Sequence, residues 1–336
     1  MSSIPEIQVR DELLTRRARL EAVRTAGAAF SVTNLIAEVD AALDRLTAGT
    51  YGLCQTCHDP IEAERLIADP LTTFCLDHLT QQERLHLERD MELARDIQRA
   101  LLPPAEIVLR GWDGHFVYEP AGAVSGDYCD VITGTAPQPS IIVGDVSGKG
   151  VSASILMSNL HALFRSLSGA GVAFEDVVSR VNHIFCQSTL PSSFATLVYA
   201  RLQENGELTL CNAGHCPPLL VSNGRVEALA PTGPAVGLVC DGQFGTVVRR
   251  IAAGDLLVVY TDGLTETFNA QDEEYGIERL ATVVSGVSHA EPRDVARACL
   301  QDLRAFSPTA PRRDDLTLMV LRRSASGRAT TGIPPS

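Results

Sequence analysis

Apolar and charged residues in the first third of the chain follow helical spacing. The stretch from Pro5 to Ala48 reads as helical: Leu35, Val39, Leu43 and Leu46 recur at the steps that line one face of a helix. Gly49 and Gly52 end that pattern. From Leu79 to Leu102 a charged stretch carries Leu87, Ala94, Ile97 and Leu101 in a short heptad seam, and Pro103 and Pro104 stop it. Such a seam suits a dimer helix or an amphipathic helix packed on a neighbour. Near Ile107 the texture changes. Short apolar runs predict strands at 115–120, 140–146, 194–202, 208–211, 219–221, 246–251, 256–260 and 316–321, with Glu204-Asn205-Gly206 and Asn223-Gly224 as hairpin turns. Helical spacing intervenes at 151–168, 174–188, 276–284 and 293–306. Strands in hairpins and helices in separate blocks predict α+β layers, not a doubly wound parallel sheet. Residues 324–336, rich in Ser, Gly, Thr and Pro, read as a disordered tail.

Composition narrows the function classes. At 45% hydrophobic the 336-residue chain has material for a large core, and its net charge of -13 argues against direct nucleic-acid binding. No apolar run reaches the ~20 residues that span a bilayer. The first residues lack the apolar segment of a signal peptide, so the expected location is cytoplasmic, with no membrane association. In that compartment the nine cysteines are expected as buried thiols or metal ligands, not disulfides.

Four acidic motifs border the predicted strands: Ser125-Gly126-Asp127-Tyr128-Cys129-Asp130, Gly144-Asp145-Val146-Ser147-Gly148-Lys149-Gly150, Thr261-Asp262-Gly263-Leu264-Thr265-Glu266 and Arg313-Asp314-Asp315-Leu316-Thr317. Taken singly, an Asp-Gly pair is turn punctuation. Four of them at strand ends suggest carboxylates converging on a point, where they repel unless cations lie between them. All-oxygen ligands suit magnesium or manganese. Two such ions share a carboxylate, polarise a water and neutralise a phosphoryl group during in-line attack.

Cys54 and Cys57 form one Cys-x-x-Cys pair, and Cys75 with His78 forms a second pair downstream. Two pairs on tight turns close a tetrahedral zinc site. Cys54-Gln55-Thr56-Cys57-His58 also fits a covalent haem signature, but the second pair favours zinc.

Taken in order, the acidic motifs resemble the PPM family of metal-dependent protein phosphatases, in the bacterial branch typified by SpoIIE and RsbU. The resemblance runs from about Glu92 to Arg322 and includes the helix from Glu92 to Pro103, Asn212-Ala213-Gly214-His215-Cys216-Pro217-Pro218 and Tyr260-Thr261-Asp262-Gly263. It implies a two-layer β-sandwich flanked by helices and a binuclear site. By position, Asp127 and Asp145 would bind metal, with Asp145 the bridge and the Val146 carbonyl completing one shell. Asp262 and Asp314 would hold the second ion. Asp315 ranks behind Asp314, Asp130 is a candidate for the outer shell, and Lys149 reads as a solvated turn residue. His215 is read as structural rather than as a general acid. Cys129 stands where the family has an aromatic residue, and no arginine is assigned to hold the phosphate.

Residues Ile36 to Glu83, with Tyr51-Gly52-Leu53-Cys54 and Arg65-Leu66-Ile67-Ala68, resemble the DksA/TraR zinc fingers. That family carries a cysteine where His78 stands and a glycine where His58 stands. The preceding helix looks too short for the long hairpin through which its best-known members act on RNA polymerase, so that activity is not carried over. The expected segments are a helical region (1–50), a zinc finger (51–78), a connecting helix (79–104) offered as a dimer contact, a phosphatase domain (105–323) and the tail (324–336). The expected function is a protein serine/threonine phosphatase acting on a phosphorylated protein, an anti-sigma-factor antagonist by the branch resemblance, with manganese or magnesium at the acidic site and zinc in the finger. The competing reading is a transcription-associated zinc-finger protein on a phosphatase-like scaffold.

Overall fold

A computed structural model of the chain describes residues 6–25, 31–78, 81–134, 138–190, 192–308 and 314–324. Of the tail expected to be disordered, all but Ser324 lies outside the described residues, as does Arg313. The chain divides into two compact units, Met1–Asp90 and Met91–Ser336.

In the first unit, helices α1 (Glu6–Thr25) and α2 (Ser31–Ala48) pack on one another. Val9 and Leu13 meet Val39, Ala42 and Leu46 in a buried cluster, and Arg17 Nε donates to Asp40 Oδ1 at 2.5 Å. The stretch from Pro5 to Ala48 that reads as helical thus contains a packed pair of helices ahead of the cysteine region. A bridge between Leu53 and Pro60, helix α3 (Ala63–Ala68) and a 3-10 turn (Leu76–His78) follow. Helix α4 covers Gln81–Leu101, and the boundary between the units falls within it.

The second unit is built on two antiparallel sheets. One has the order β1 (Glu106–Leu109), β2 (Trp112–Glu119), β11 (Leu316–Arg323), β10 (Leu256–Tyr260), β7 (Leu219–Ser222), β8 (Arg225–Ala228). The other runs β3 (Asp127–Ile132), β4 (Ser140–Val146), β5 (Ala195–Leu202), β6 (Glu207–Ala213), β9 (Val247–Arg250). Their inner faces share one core: Phe116, Leu257, Val259 and Met319 meet Cys129, Ile141, Val143, Val198 and Leu210. Helices α5 (Gly150–Gly169) and α6 (Phe174–Ser188) bury Met157, Leu160, Val181 and Phe185 on the outer face of the second sheet. Helices α8 (Gly276–Gly286) and α9 (Pro292–Phe306) do the same for the first, through Leu280, Val284, Val295 and Cys299. This is the helix-flanked two-layer sandwich expected. With both faces covered, β10 is buried along its whole length, which is why it reads as an unbroken apolar run.

Three strands were not anticipated. Strand β1 is short with one fully buried position, β8 is mostly exposed and polar, and the two aspartates of β3 disguise a buried strand. The expectation of thiols or metal ligands without disulfides also fails at one pair. Cys186 on α6 is joined to Cys240 by a disulfide, while the other seven cysteines are free.

Candidate metal centres

Asp127 opens β3, and its Cα lies directly opposite that of Asp145 in β4. Residues opposite one another in an antiparallel pair project to the same face. Asp127 shares that face with Cys129, which lies in the core between the sheets, so both carboxylates belong to the inner side of the sandwich. A Cβ added at Gly126 would stand 3.0 Å from the Val146 carbonyl oxygen and 3.3 Å from Asp145 Oδ1, so glycine lets the backbone close on this corner.

The other sheet supplies the rest. Thr261 and Thr317 donate their hydroxyls to Asp127 Oδ2 at 2.9 and 2.6 Å, tying the two layers together. Asp262 starts the short helix α7 (Asp262–Thr265), one residue beyond Thr261, while Asp314 and Asp315 lead into β11. Asp315 accepts from the backbone N–H of Ala121 at 2.7 Å and of Gly126 at 3.0 Å. Both of its oxygens are therefore engaged in holding the Gly126 corner. A Cβ at Gly263 would fall 1.9 Å from the Asp315 carbonyl oxygen, so this seam closes only around glycine. Lys149 Nζ donates to Asp314 Oδ2 at 2.9 Å, so this exposed side chain also forms an ion pair.

The electrostatics match a cation site. Burial, then repulsion from Asp145 and Asp315, holds the Asp127 carboxyl well above its ordinary range, although the Thr317 and Thr261 hydroxyls pull the other way. Asp145 is raised to about 7 by burial and by Asp262, Asp314 and Asp315. Burial and Asp314 raise Asp262. Buried oxygens that repel one another are relieved by a hard divalent cation, so the residues present fit magnesium or manganese.

Two other residues take different places. Asp130 lies on the opposite face of β3 from Asp127 and accepts from Arg165 Nε and Nη2 at 2.9 and 2.8 Å, with His161 Nε2 at 3.6 Å. Its partners are thus on α5 and not at the acidic corner. His215 is buried, its Nδ1 is 2.8 Å from Thr196 Oγ1, and its N–H donates to Asn212 Oδ1 at 2.8 Å. Burial lowers its pKa to about 4, so at pH 7 it is neutral and lacks the imidazolium proton that a histidine general acid donates. Thr261 and Thr317 carry roles that the sequence did not signal. The Thr-Asp and Asp-Leu-Thr steps contain them, but no spacing rule points a threonine across a sandwich.

In the first unit, ligand atoms of Cys54, Cys57, Cys75 and His78 all lie within 4.8 Å of one another. Cys57 Sγ is 3.8 Å from Cys75 Sγ, which is 3.2 Å from His78 Nδ1. Burial opposes ionisation of Cys54, but the N–H groups of Cys57, Cys75 and Thr56 bring its pKa down to about 6, poising a thiolate for a metal. His58, the histidine of the haem signature, is exposed and outside this group. Its φ of 61° explains why a glycine suits that position. Three sulfurs and an imidazole fit zinc.

Comparison with known proteins follows these two centres. The family profile for stage II sporulation protein E (SpoIIE) matches residues 138–324, more than half of the chain. The chain belongs to the SpoIIE family. A profile for the prokaryotic DksA/TraR C4-type zinc finger matches residues 49–77, so a finger of that type precedes the SpoIIE domain. His78 falls one residue past that match. Phosphoserine phosphatase RsbU of Bacillus subtilis is 28% identical over 248 residues, which are 72% of this chain and 72% of RsbU. Protein IcfG of Synechocystis is 28% identical over 264 residues, 70% of this chain but 42% of that protein. The RsbU and RsbW domains of a Mycobacterium tuberculosis protein superpose with a TM-score of 0.58 at 29% identity, covering 67% of this chain and 63% of that one. The SiaA PP2C domain of Pseudomonas aeruginosa shares the fold, with a TM-score of 0.63 at 20% identity over 72% of this chain and 99% of that domain. Among the described residues, no helix is long and apolar enough to cross a membrane.

Proposed function

We propose that this SpoIIE-family chain is a metal-dependent phosphatase that removes phosphate from phosphoserine or phosphothreonine on a protein. The observation that carries this reading is the meeting of Asp127 and Asp145 from one sheet with Asp262, Asp314 and Asp315 from the other, where burial and then repulsion between carboxylates raise the pKa values of Asp127, Asp145 and Asp262. Asp127, Asp145 and the Val146 carbonyl would hold one cation; Asp262 and Asp314 would hold another, with Asp145 between them. When bound, two manganese or magnesium ions supply an activated water and neutralise phosphoryl charge. Thr261 and Thr317 fix the orientation of Asp127, and Asp315 fixes the Gly126 corner. Lys149 adds one positive charge beside Asp314.

The name of RsbU supports phosphoserine as substrate. A phosphorylated anti-sigma-factor antagonist is the partner we favour. The zinc finger serves as a regulatory or structural module, and Leu93 and Ile97, exposed on α4, support self-association through that helix. The test uses the purified full chain with a small aryl phosphate. Hydrolysis should need manganese or magnesium and should vanish in Asp145→Asn. Equal turnover in excess chelator would remove the metal mechanism. A chain that is inert with every divalent metal, yet captured by RNA polymerase through its finger, would establish the binding-protein reading instead.

A further inference from the structure

Outside both metal centres, α6 and the loop that follows β8 are fastened at two neighbouring points. Asn182 is buried, and its Nδ2 donates to the carbonyls of Val239 and Cys240 at 3.0 and 2.9 Å, while its Oδ1 accepts from the Gly237 N–H at 2.8 Å. One helical turn on, Cys186 shares that face of α6 and is bonded to Cys240, with Cα atoms 5.8 Å apart. Cys186 is half-buried and Cys240 is exposed, so reagents reach the bond from the loop side. The same loop carries Val236, which pairs with Ala195; Ala195 pairs in turn with Val146. The fastened loop therefore lies in register with the end of the strand that bears Asp145.

We propose that Cys186 and Cys240 form a reversible thiol–disulfide site, opened by a dithiol reductant and closed by a peroxide, that sets how firmly this loop is held on α6. The inference does not depend on the phosphatase reading. A reductant thiolate attacks the exposed Cys240 sulfur, forms a mixed disulfide and expels Cys186 as a thiolate that takes a proton from water. The reductant's second thiol displaces Cys240, so two electrons pass to the protein and the reductant leaves as its own disulfide. In the reverse direction one cysteine thiolate attacks hydrogen peroxide and becomes a sulfenic acid, releasing hydroxide. The partner thiol condenses with it, forming the disulfide and releasing water. The three hydrogen bonds of Asn182 persist in the open form and keep the sulfurs within reach, which makes closure repeatable.

The experiment uses the full zinc-loaded chain, cycled between hydrogen peroxide and dithiothreitol, with alkylation and mass spectrometry at each stage. After peroxide, the tryptic peptides 181–201 and 226–249 should be linked, and both cysteines should resist alkylation. After dithiothreitol both should alkylate, and a second peroxide treatment should restore the link. The melting temperature should fall on the order of 10 °C on reduction. The double variant Cys186→Ser/Cys240→Ser should melt like the reduced chain under both conditions. Cys240→Ser alone, at an exposed position, should leave Cys186 unlinked after peroxide and alkylatable after dithiothreitol. Free alkylation of both cysteines after peroxide, a link to a different cysteine, failure to close again, or a redox-dependent melting shift that survives in the double variant would each overturn the proposal.

Discussion

The acidic corner sets function against stability, and Asp145→Asn measures the conflict. In the metal-free chain the Asp145 carboxyl is raised from 3.8 to about 7, with burial the largest cause and three neighbouring aspartates behind it. A folded-state pKa above the unfolded one disfavours folding as the group ionises. The penalty is absent below about pH 4, grows between pH 4 and 7, and is complete above. Three pH units correspond to about 4 kcal/mol, and at pH 5 the penalty is about 2 kcal/mol. The asparagine amide must find partners in place of the carboxylate, which costs about 1 kcal/mol. In chelator at pH 8 the variant should therefore be about 3 kcal/mol more stable than the parent, and the gain should pass through zero between pH 4 and 5 and become a deficit of about 1 kcal/mol at lower pH. Manganese should raise the melting temperature of the parent and have little effect on the variant. Urea denaturation from pH 4 to 8, with and without manganese, reads both effects. A variant less stable than the parent at pH 8 in chelator, or a gain that does not change with pH, would refute the reasoning.

Three further outcomes follow from particular contacts. Gly263→Ala places a methyl 1.9 Å from the Asp315 carbonyl oxygen, so it should cost about 3 kcal/mol in denaturation and remove aryl phosphatase activity together with metal binding. His58→Gly relieves a positive φ and should stabilise the zinc-loaded first unit by about 1 kcal/mol in chelator-free melts; an unchanged melt would place the relief elsewhere. His78→Ala should weaken zinc by roughly 100-fold or more in competition with a chromogenic chelator while His78→Cys retains it, and unaltered affinity in the alanine variant would exclude His78 as the fourth ligand.

Much of the second unit was legible because its sandwich is covered on both outer faces. Strands such as β10 then carry unbroken apolar runs, and α6 follows its predicted bounds because one face is apolar and the other is not. Strand β3 was hidden, since Asp127 and Asp130 are both buried in it, each held by partners distant in sequence: two threonines for the first, Arg165 for the second. Pair spacing alone exposed the Cys54, Cys57, Cys75 and His78 group, because tight turns bring such pairs together locally. The aspartates offered no such local rule. Their order matched a known family, but the roles of Thr261, Thr317 and Asp315 as supports depend on tertiary register. The Cys186–Cys240 link was equally hidden, joining positions 54 residues apart with no motif around either.

Asp127 and Asp145 stand on one layer of the sandwich, while Asp262 and Asp314 stand at the ends of the two central strands of the other. No single sheet owns all four of the carboxylates proposed to hold the cations. The proposed metal centre is in that sense a gauge of alignment between two slabs. A slip of one layer along the other by a fraction of a strand repeat would separate its halves while leaving every backbone ladder intact. Cation affinity would then respond to forces that never touch a ligand, and the hydroxyls of Thr261 and Thr317, reaching across to Asp127, are the pins that hold the gauge at its mark.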